Sequence, residues 1–191
     1  MKSDFSGPAS DEENAEGDSG CAEFSDAIRA AGTNTLPATE EWDSDHGLFA
    51  KMLLCDQLSR NAFRGTSEAF AFDKVGMSAC RELFRREAHV NFDSTTYFTF
   101  FTTPPQHSEE LEDHEMNETI LEFAQAKFPD DPTIAQTGVY ITQHASIIKK
   151  WGRYPWRNAA LSRENTPEEQ AYLDDYDNLP NFAKSQLPRP K

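Results

Sequence analysis

Successive helix start and stop signals run along the chain. The clearest start is TPEE, in which Thr166 is the predicted cap, Pro167 takes the first helical position, and Glu169 closes a capping box. Gly65 is a natural stop, because glycine adopts the left-handed conformation that commonly ends a helix. Signals of the same kinds predict four earlier helices at residues 44–64, 67–88, 108–127 and 133–151. We therefore predict an all-α fold of antiparallel helices joined by short loops.

One stretch departs from the helical pattern. TTYFTFFTT, residues 95–103, alternates as a strand does, but a short apolar run fits a buried helix equally well. Pro104 and Pro105 follow it and are predicted to break the chain before the next helix, which Ser108 can cap. Periodicity alone therefore leaves the structure of residues 95–103 open.

The two ends of the chain differ in composition from the middle. Residues 1–22 are rich in Asp, Glu, Ser and Gly and contain almost nothing to bury, so we predict a disordered acidic tail that is not needed for folding. Residues 179–191 form a predicted proline-containing tail that wraps around the domain or frays. Residues 23–178 between them form one predicted helical domain, which suits a chain of 191 residues.

The charge of the chain limits its partners. Asp and Glu number 33 against 18 Lys and Arg, and the formal net charge of -15 repels phosphate backbones. No apolar run reaches about 18 residues, and the N-terminus lacks the apolar core of a secretory signal. The cysteines form no CxxC pair, which argues against a zinc site and a disulfide framework. We expect a cytoplasmic protein without cofactor, nucleic-acid partner or membrane partner.

The helix predicted at residues 44–64 carries a dense polar cluster. At about 100° per residue, its polar side chains fall within an arc of about 140°. They are Asp56, Gln57, Arg60, Asn61 and Arg64. Solvated helix faces usually carry Lys and Glu, whereas these residues form directed hydrogen bonds with several donors and acceptors. Two interpretations stay open: a surface or structural face, and part of a polar site.

Histidines and a basic loop supply further candidates. His144 lies on an apolar stripe of the helix at residues 133–151, where it is either a core histidine or an acid or base at the mouth of a pocket. Arg153, Arg157 and Asn158 follow in a loop stiffened by glycine and proline, and such loops often carry function.

A metal site is conceivable at His107, Glu110 and His114, which could share a helix face. No HExxH or comparable pattern supports it, and His107 precedes the predicted cap, so its side chain should point elsewhere. We therefore predict no bound metal.

The chain contains three motifs, DQLSRNAFRGTSEAFAFD, HSEELEDHE and HASIIKKWGRYPWRNAALSRENTPEEQAYL. Their sequence and order resemble domain-of-unknown-function family 924. The resemblance covers residues 42–173 and implies a tetratricopeptide-like helical superhelix. It carries the family's polar signature over to Asp56, Gln57, Arg60, Asn61, Arg64, Gly65, Asp73, His107, Ser108, Glu109, His144, Gly152, Arg153, Pro155, Arg157 and Asn158.

Three positions depart from the pattern that this resemblance implies. Ser59 stands where the family usually has proline, a change that a helix accepts easily. Gln106 stands in place of glutamate, and Trp156 stands in place of histidine. Each of the last two changes removes a titratable group from the site, so the protein is expected to bind without turnover if the family's chemistry needs that carboxylate or imidazole.

Two functions follow from the residues and the resemblance. In the first, arginines form a positive well for an anionic small molecule, and Asp56 and His144 are the catalytic residues of a hydrolase or transferase. The proposed ligand-binding residues are Gln57, Arg60, Asn61, Arg64, His107, Ser108, Arg153, Arg157 and Asn158. In the second, the protein is a non-enzymatic helical scaffold for a peptide or protein partner.

The two functions predict different arrangements of arginine. The first predicts that Arg64, His144, Arg153 and Arg157 converge on a closed pocket. The second predicts an open groove in which arginines pair with Asp or Glu.

Overall fold

A computed structural model describes residues 11–187, which are entirely helices, turns and loops. The α-helices are α1 (Asp11–Ala22), α2 (Ser25–Gly32), α3 (Asp45–Met52), α4 (Ser59–Ala62), α5 (Asp73–Arg85), α6 (Thr95–Phe101), α7 (Thr103–His107), α8 (Leu111–Lys127), α9 (Pro132–Trp151), α10 (Pro167–Asp174) and α11 (Asn181–Lys184). Short 3₁₀ turns lie at Glu40–Asp43, Ser67–Phe70, Ala88–Asn91, Pro155–Arg157 and Tyr176–Asn178. The predicted all-α single domain is confirmed.

Local signals located several helix ends correctly. Thr166 Oγ1 accepts a hydrogen bond from the Glu169 backbone N–H at 3.2 Å, and the Glu169 carboxylate accepts one from the Thr166 N–H at 2.8 Å, which is the predicted capping box. Residues 95–103, left open by the sequence, form α6 and the start of α7. Pro104 and Pro105 begin α7 instead of breaking the chain, because the first turn of a helix does not need their missing N–H groups.

The helix predicted at residues 44–64 is interrupted by a π-helical turn at Leu53–Leu58, between α3 and α4. The Ser59 N–H bonds to the Leu54 carbonyl, five residues back. A uniform helical wheel does not describe such a turn, and Asp56, only 1% exposed, points into the molecule. The helix predicted at residues 67–88 also begins later, because Ser67–Phe70 is a 3₁₀ turn and α5 starts at Asp73.

The described N-terminal segment differs from the predicted tail. Asp11–Ala22 is helix α1, which packs on α4, whereas the first ten residues lie outside the described part of the chain. Two polar contacts join its described side chains to the segment around α4: Arg64 forms an ion pair with Asp18 at 2.8 Å, and the Asn61 amide approaches Cys21 Sγ at 3.7 Å. A segment without an apolar face can therefore be held by partners distant in sequence.

At the other end, the described part of the C-terminal segment wraps on the domain. Leu179 and Ala183 are buried in one cluster with Tyr154 and Trp156. The last four residues of the predicted tail lie outside the described residues.

The main hydrophobic core lies between α3, α5, α6, α8 and α9, and it includes the fully buried Phe98 and Phe101. Within residues 11–187, no helix is both long enough and apolar enough to span a bilayer. The cysteines are free thiols, and burial raises the pKa of Cys55 to about 12, as expected for a structural thiol.

Candidate functional site

An open cleft of about 820 Å³ lies between α5, the α7–α8 junction and the turn at Pro155–Arg157. Five of the side chains that line it are polar signature positions marked by the sequence: Asp73, His107, Ser108, Glu109 and Arg157. The cleft is thus formed where the first, second and third motifs meet, although they lie far apart in the chain.

The central contact beside the cleft joins Asp56 to His107. His107 Nδ1 lies 2.7 Å from Asp56 Oδ1, and Gln57 Nε2 donates to Asp56 Oδ2 at 2.5 Å. The His107 side chain is 20% exposed, whereas the carboxylate of Asp56 is buried. Burial by itself would raise the pKa of Asp56, but the charges of His107 and Arg60 and the hydrogen bonds outweigh it and lower the pKa to about 2.

Local structure fixes both partners of this contact. The π-helical turn directs Asp56 inward, towards α7. His107 is the last residue of α7, and its backbone carbonyl accepts a hydrogen bond from Arg157 Nη1 at 2.7 Å. His107 Nε2 makes no hydrogen bond to the described residues, and the side chain lines the cleft.

Two arginines share the carboxylate of Asp73. Arg60 Nη2 donates to Asp73 Oδ2 at 2.7 Å, and Arg157 Nη1 lies 3.8 Å from the same oxygen. The Phe70 ring packs against both guanidinium groups, with its centroid 4.5 Å from Arg60 Cζ and 5.3 Å from Arg157 Cζ. Burial, followed by the nearby charge of Arg60, lowers the pKa of Arg157 to about 10, so it stays protonated at neutral pH.

The sequence profile of the family described as "Bacterial protein of unknown function (DUF924)" matches residues 10–177. The chain belongs to the DUF924 family. It is also similar to the solved structure of a protein of unknown function, ATU0120 from Agrobacterium tumefaciens, with 29% identity and a TM-score of 0.67 over 86% of this chain and 87% of that one. No curated protein matches it. These similarities establish family and fold, and neither of them names an activity.

His144 of this DUF924 protein has the contacts of a core histidine. Its Nδ1 donates to the Tyr140 carbonyl at 2.8 Å, and its ring stacks on Phe182 at a centroid distance of 3.8 Å. The His107 ring lies 6.5 Å away. Burial is the largest influence on its pKa and lowers it to about 3, so the imidazole is neutral and has little tendency to act as an acid at neutral pH.

Several predicted ligand-binding residues lie elsewhere. Arg64 forms an ion pair with Asp18 of α1 and does not line the cleft. Arg153 forms a bidentate pair with Glu169, with both distances 2.7 Å. Of Arg64, His144, Arg153 and Arg157, only Arg157 lines the cleft, so the predicted convergence of all four does not occur there.

The remaining predicted residues support their neighbours. Asn158 is buried, and its amide donates to Asn165 at 2.8 Å. Asn61 accepts a hydrogen bond from Arg64 at 2.6 Å on the α1 side of α4. Arg60 donates a hydrogen bond to the carboxylate of Asp73, and Gln57 donates one to the carboxylate of Asp56.

The two titratable groups that the family resemblance implies are replaced at positions outside the cleft. Gln106 is buried, and its side-chain amide donates to the Thr102 carbonyl at 3.0 Å. Trp156 is 3% exposed and packs on Tyr154 and Phe182. Both side chains fill the interior behind the cleft, so the groups that line the cleft do not depend on them directly.

Sequence reasoning missed a second polar group in the cleft. Arg81 forms a bidentate pair with Asp113, at 2.8 and 2.7 Å, and Ser108 Oγ donates to the same carboxylate at 2.5 Å. Lys74 also lines the cleft and forms no ion pair with the described residues. The available signal was the spacing of Lys74 and Arg81, which are seven residues apart on α5 and therefore share a face. In the described part of the chain, no three His, Cys, Asp or Glu side chains are grouped as metal ligands.

Proposed function

We propose that this protein is a hydrolase or transferase that acts on an anionic small molecule in the cleft, with His107 as the general base. The observation that carries the proposal is the 2.7 Å contact between His107 Nδ1 and the buried Asp56 carboxylate. This proposal moves the acid–base role from His144 to His107 and retains Asp56 as its orienting partner.

The contact favours one tautomer of His107. The ionised carboxylate of Asp56 can only accept, so Nδ1 carries the proton and donates it to the hydrogen bond. In the form of the imidazole that has lost its second proton, the lone pair is on Nε2, which has no partner among the described residues. A histidine held in this way can remove a proton from water or from a substrate hydroxyl.

Positive charge beside His107 supports an anionic substrate. Arg157 contacts the His107 carbonyl, and Lys74 lines the same cleft without an ion pair among residues 11–187. Arginine and lysine both bind carboxylate and phosphate oxygens. The cleft volume of about 820 Å³ lies within the range of about 300–1,000 Å³ that is typical of small-molecule sites.

The test is turnover of chromogenic esters that carry a free carboxylate or a phosphate group by the wild type, His107→Gln and His46→Gln. His46 is exposed at the start of α3 and is the matched control. We expect His107→Gln to lose about 100-fold or more of any activity, as removal of a general base does, and His46→Gln to keep it. An active His107→Gln protein would contradict the proposal.

One observation favours a second candidate, a helical scaffold for a peptide or protein. The cleft is open, and arginines around it are paired with carboxylates, as in Arg81 with Asp113 and Arg163 with Glu109. This is the arrangement expected of a structural groove.

A tetratricopeptide-like superhelix and cytoplasmic residence without nucleic-acid or membrane partners fit both candidates and are part of the proposal. Peptide capture that His107→Gln leaves unchanged, with no ester turnover, would favour the scaffold.

A further inference from the structure

We infer that the ligand of the cleft is a small monoanion with an apolar body, such as an aryl or acyl carboxylate. Its charged end would meet Arg157 and Lys74, and its body would lie on Phe70, Met77 and Leu161. The inference rests on the cleft being a ligand site, as proposed above, but not on any reaction at His107.

The Arg157 side chain provides the anchor for the charged end. It is only 5% exposed, yet among the described residues its only hydrogen bond is from Nη1 to the His107 carbonyl. Its Nε is buried without a partner, and its Nη2 makes no hydrogen bond to residues 11–187. A buried guanidinium normally uses most of its five donors, so this one has capacity for a carboxylate placed in the cleft.

Apolar side chains line the cleft together with this anchor. The Phe70 ring lies 5.3 Å from Arg157 Cζ, and the Leu161 backbone N–H bonds to the Arg157 carbonyl at 2.9 Å. Leu161 lines the cleft and is 38% exposed, which leaves apolar surface for a ligand to cover. Met77 lines the cleft from α5, one turn after Asp73. A ligand in the cleft can therefore contact apolar surface and Arg157 together.

The other charges in the cleft select against a second negative charge. Three carboxylates that line the cleft already have partners: Asp73 pairs with Arg60 and lies 3.8 Å from Arg157, Asp113 pairs with Arg81, and Glu109 pairs with Arg163. Glu110 and Glu112 also line the cleft and form no ion pair with the described residues. They would repel a dianion at short range, in a chain whose net charge is already -15.

The first experiment compares four probes by calorimetric titration of the full chain at neutral pH: benzoate, benzamide, acetate and phenyl phosphate. Benzoate has both a single negative charge and an apolar body. Benzamide lacks the charge, acetate lacks the apolar body, and phenyl phosphate carries additional negative charge. We expect benzoate to bind about tenfold or more tightly than each of the others. Equal binding of benzamide or acetate, tighter binding of phenyl phosphate, or no benzoate binding up to about 10 mM would overturn the inference.

The second experiment places the ligand body. Leu161→Asn should weaken benzoate binding about fivefold and leave acetate binding unchanged, because only the apolar contact is lost. Val139→Asn, at an apolar position on α9 that is 49% exposed, is the control and should bind as the wild type does. Lys74→Gln, also at an exposed position, should weaken benzoate and leave benzamide unchanged. Equal effects of Leu161→Asn and Val139→Asn would overturn the placement.

The two proposals fail in different ways. If benzoate binds and ester turnover survives His107→Gln, the general base is wrong and the ligand class stands. If turnover depends on His107 but benzoate does not bind, the ligand class is wrong and the reaction stands.

Discussion

The buried imidazole of His144 should make folding sensitive to mild acid. Burial lowers its pKa from 6.5 to about 3, so the folded protein does not take up this proton at pH 5, whereas the unfolded chain does. A depressed histidine pKa therefore costs stability as the pH falls below about 6.5, and the loss is complete near the folded pKa. At pH 5 the unfolded group has gained about 1.5 pH units of protonation free energy, or about 2 kcal/mol at 1.36 kcal/mol per unit.

The perturbation is His144→Phe, which removes the titrating group and keeps a ring to stack on Phe182. Urea unfolding at several pH values between 7.5 and 5 gives the free energy of unfolding of each protein. We expect the wild type to lose about 2 kcal/mol more than the variant over this range, because all other titrating groups contribute to both proteins. His46→Gln, at an exposed position, should follow the wild type.

The test uses the pH dependence of the difference in free energy of unfolding between the two proteins. The size of that difference at one pH is not informative, because the substitution also changes packing by an amount that does not depend on pH. Parallel curves for wild type and His144→Phe would show that His144 titrates in the folded state much as it does in the unfolded chain. The assignment of His144 to the core, and of the acid–base role to His107, would then lose its physical basis.

Three further predictions concern stability and are measured by denaturant unfolding. Asp56→Asn should cost about 3–5 kcal/mol because it removes the buried negative charge that His107 and Arg60 face, and a change within about 0.5 kcal/mol would contradict an ion pair between buried Asp56 and Arg60. Gly47→Ala should cost about 3 kcal/mol or more, because its Cβ would lie 2.1 Å from the Glu41 carbonyl oxygen; Gly17→Ala, with nothing within 4 Å, is the control and should not destabilise. Thr166→Ala should cost about 1 kcal/mol through loss of the capping box, and an unchanged midpoint would show that the cap contributes nothing.

Local chemistry explains what the sequence predicts well. The cap at Thr166 and the helix stop at Gly152 depend only on neighbouring residues, and Gly152 has the left-handed φ of 66° that glycine allows. The sequence predicted only some of the residues at the cleft. Asp56 and His107 were both predicted, but their contact joins residues 51 positions apart, and spacing along the chain contains no information about it.

Contacts distant in sequence explain the rest. Helix α1 is held through Asp18 by Arg64, 46 residues away, so its composition alone indicates disorder. The four residues predicted to converge do not do so for the same reason, because the partner of Arg153 is Glu169, which lies 16 residues later on α10. A sequence shows which arginines exist, but only the folded chain shows which carboxylates they meet.

The π-helical turn at Leu53–Leu58 makes the first motif sensitive to chain length. A π-helical turn accommodates one more residue than a regular α-helix, so the helix before it and the helix after it keep their directions. Deletion of one residue inside the turn would restore a regular α-helix and redirect the side chains within it, including Asp56, which would move away from His107. Arg60 lies after the turn and would keep its contact with Asp73. A single deletion should therefore damage the candidate site while it leaves the fold almost intact, and the motif is defined by its register as much as by its residues.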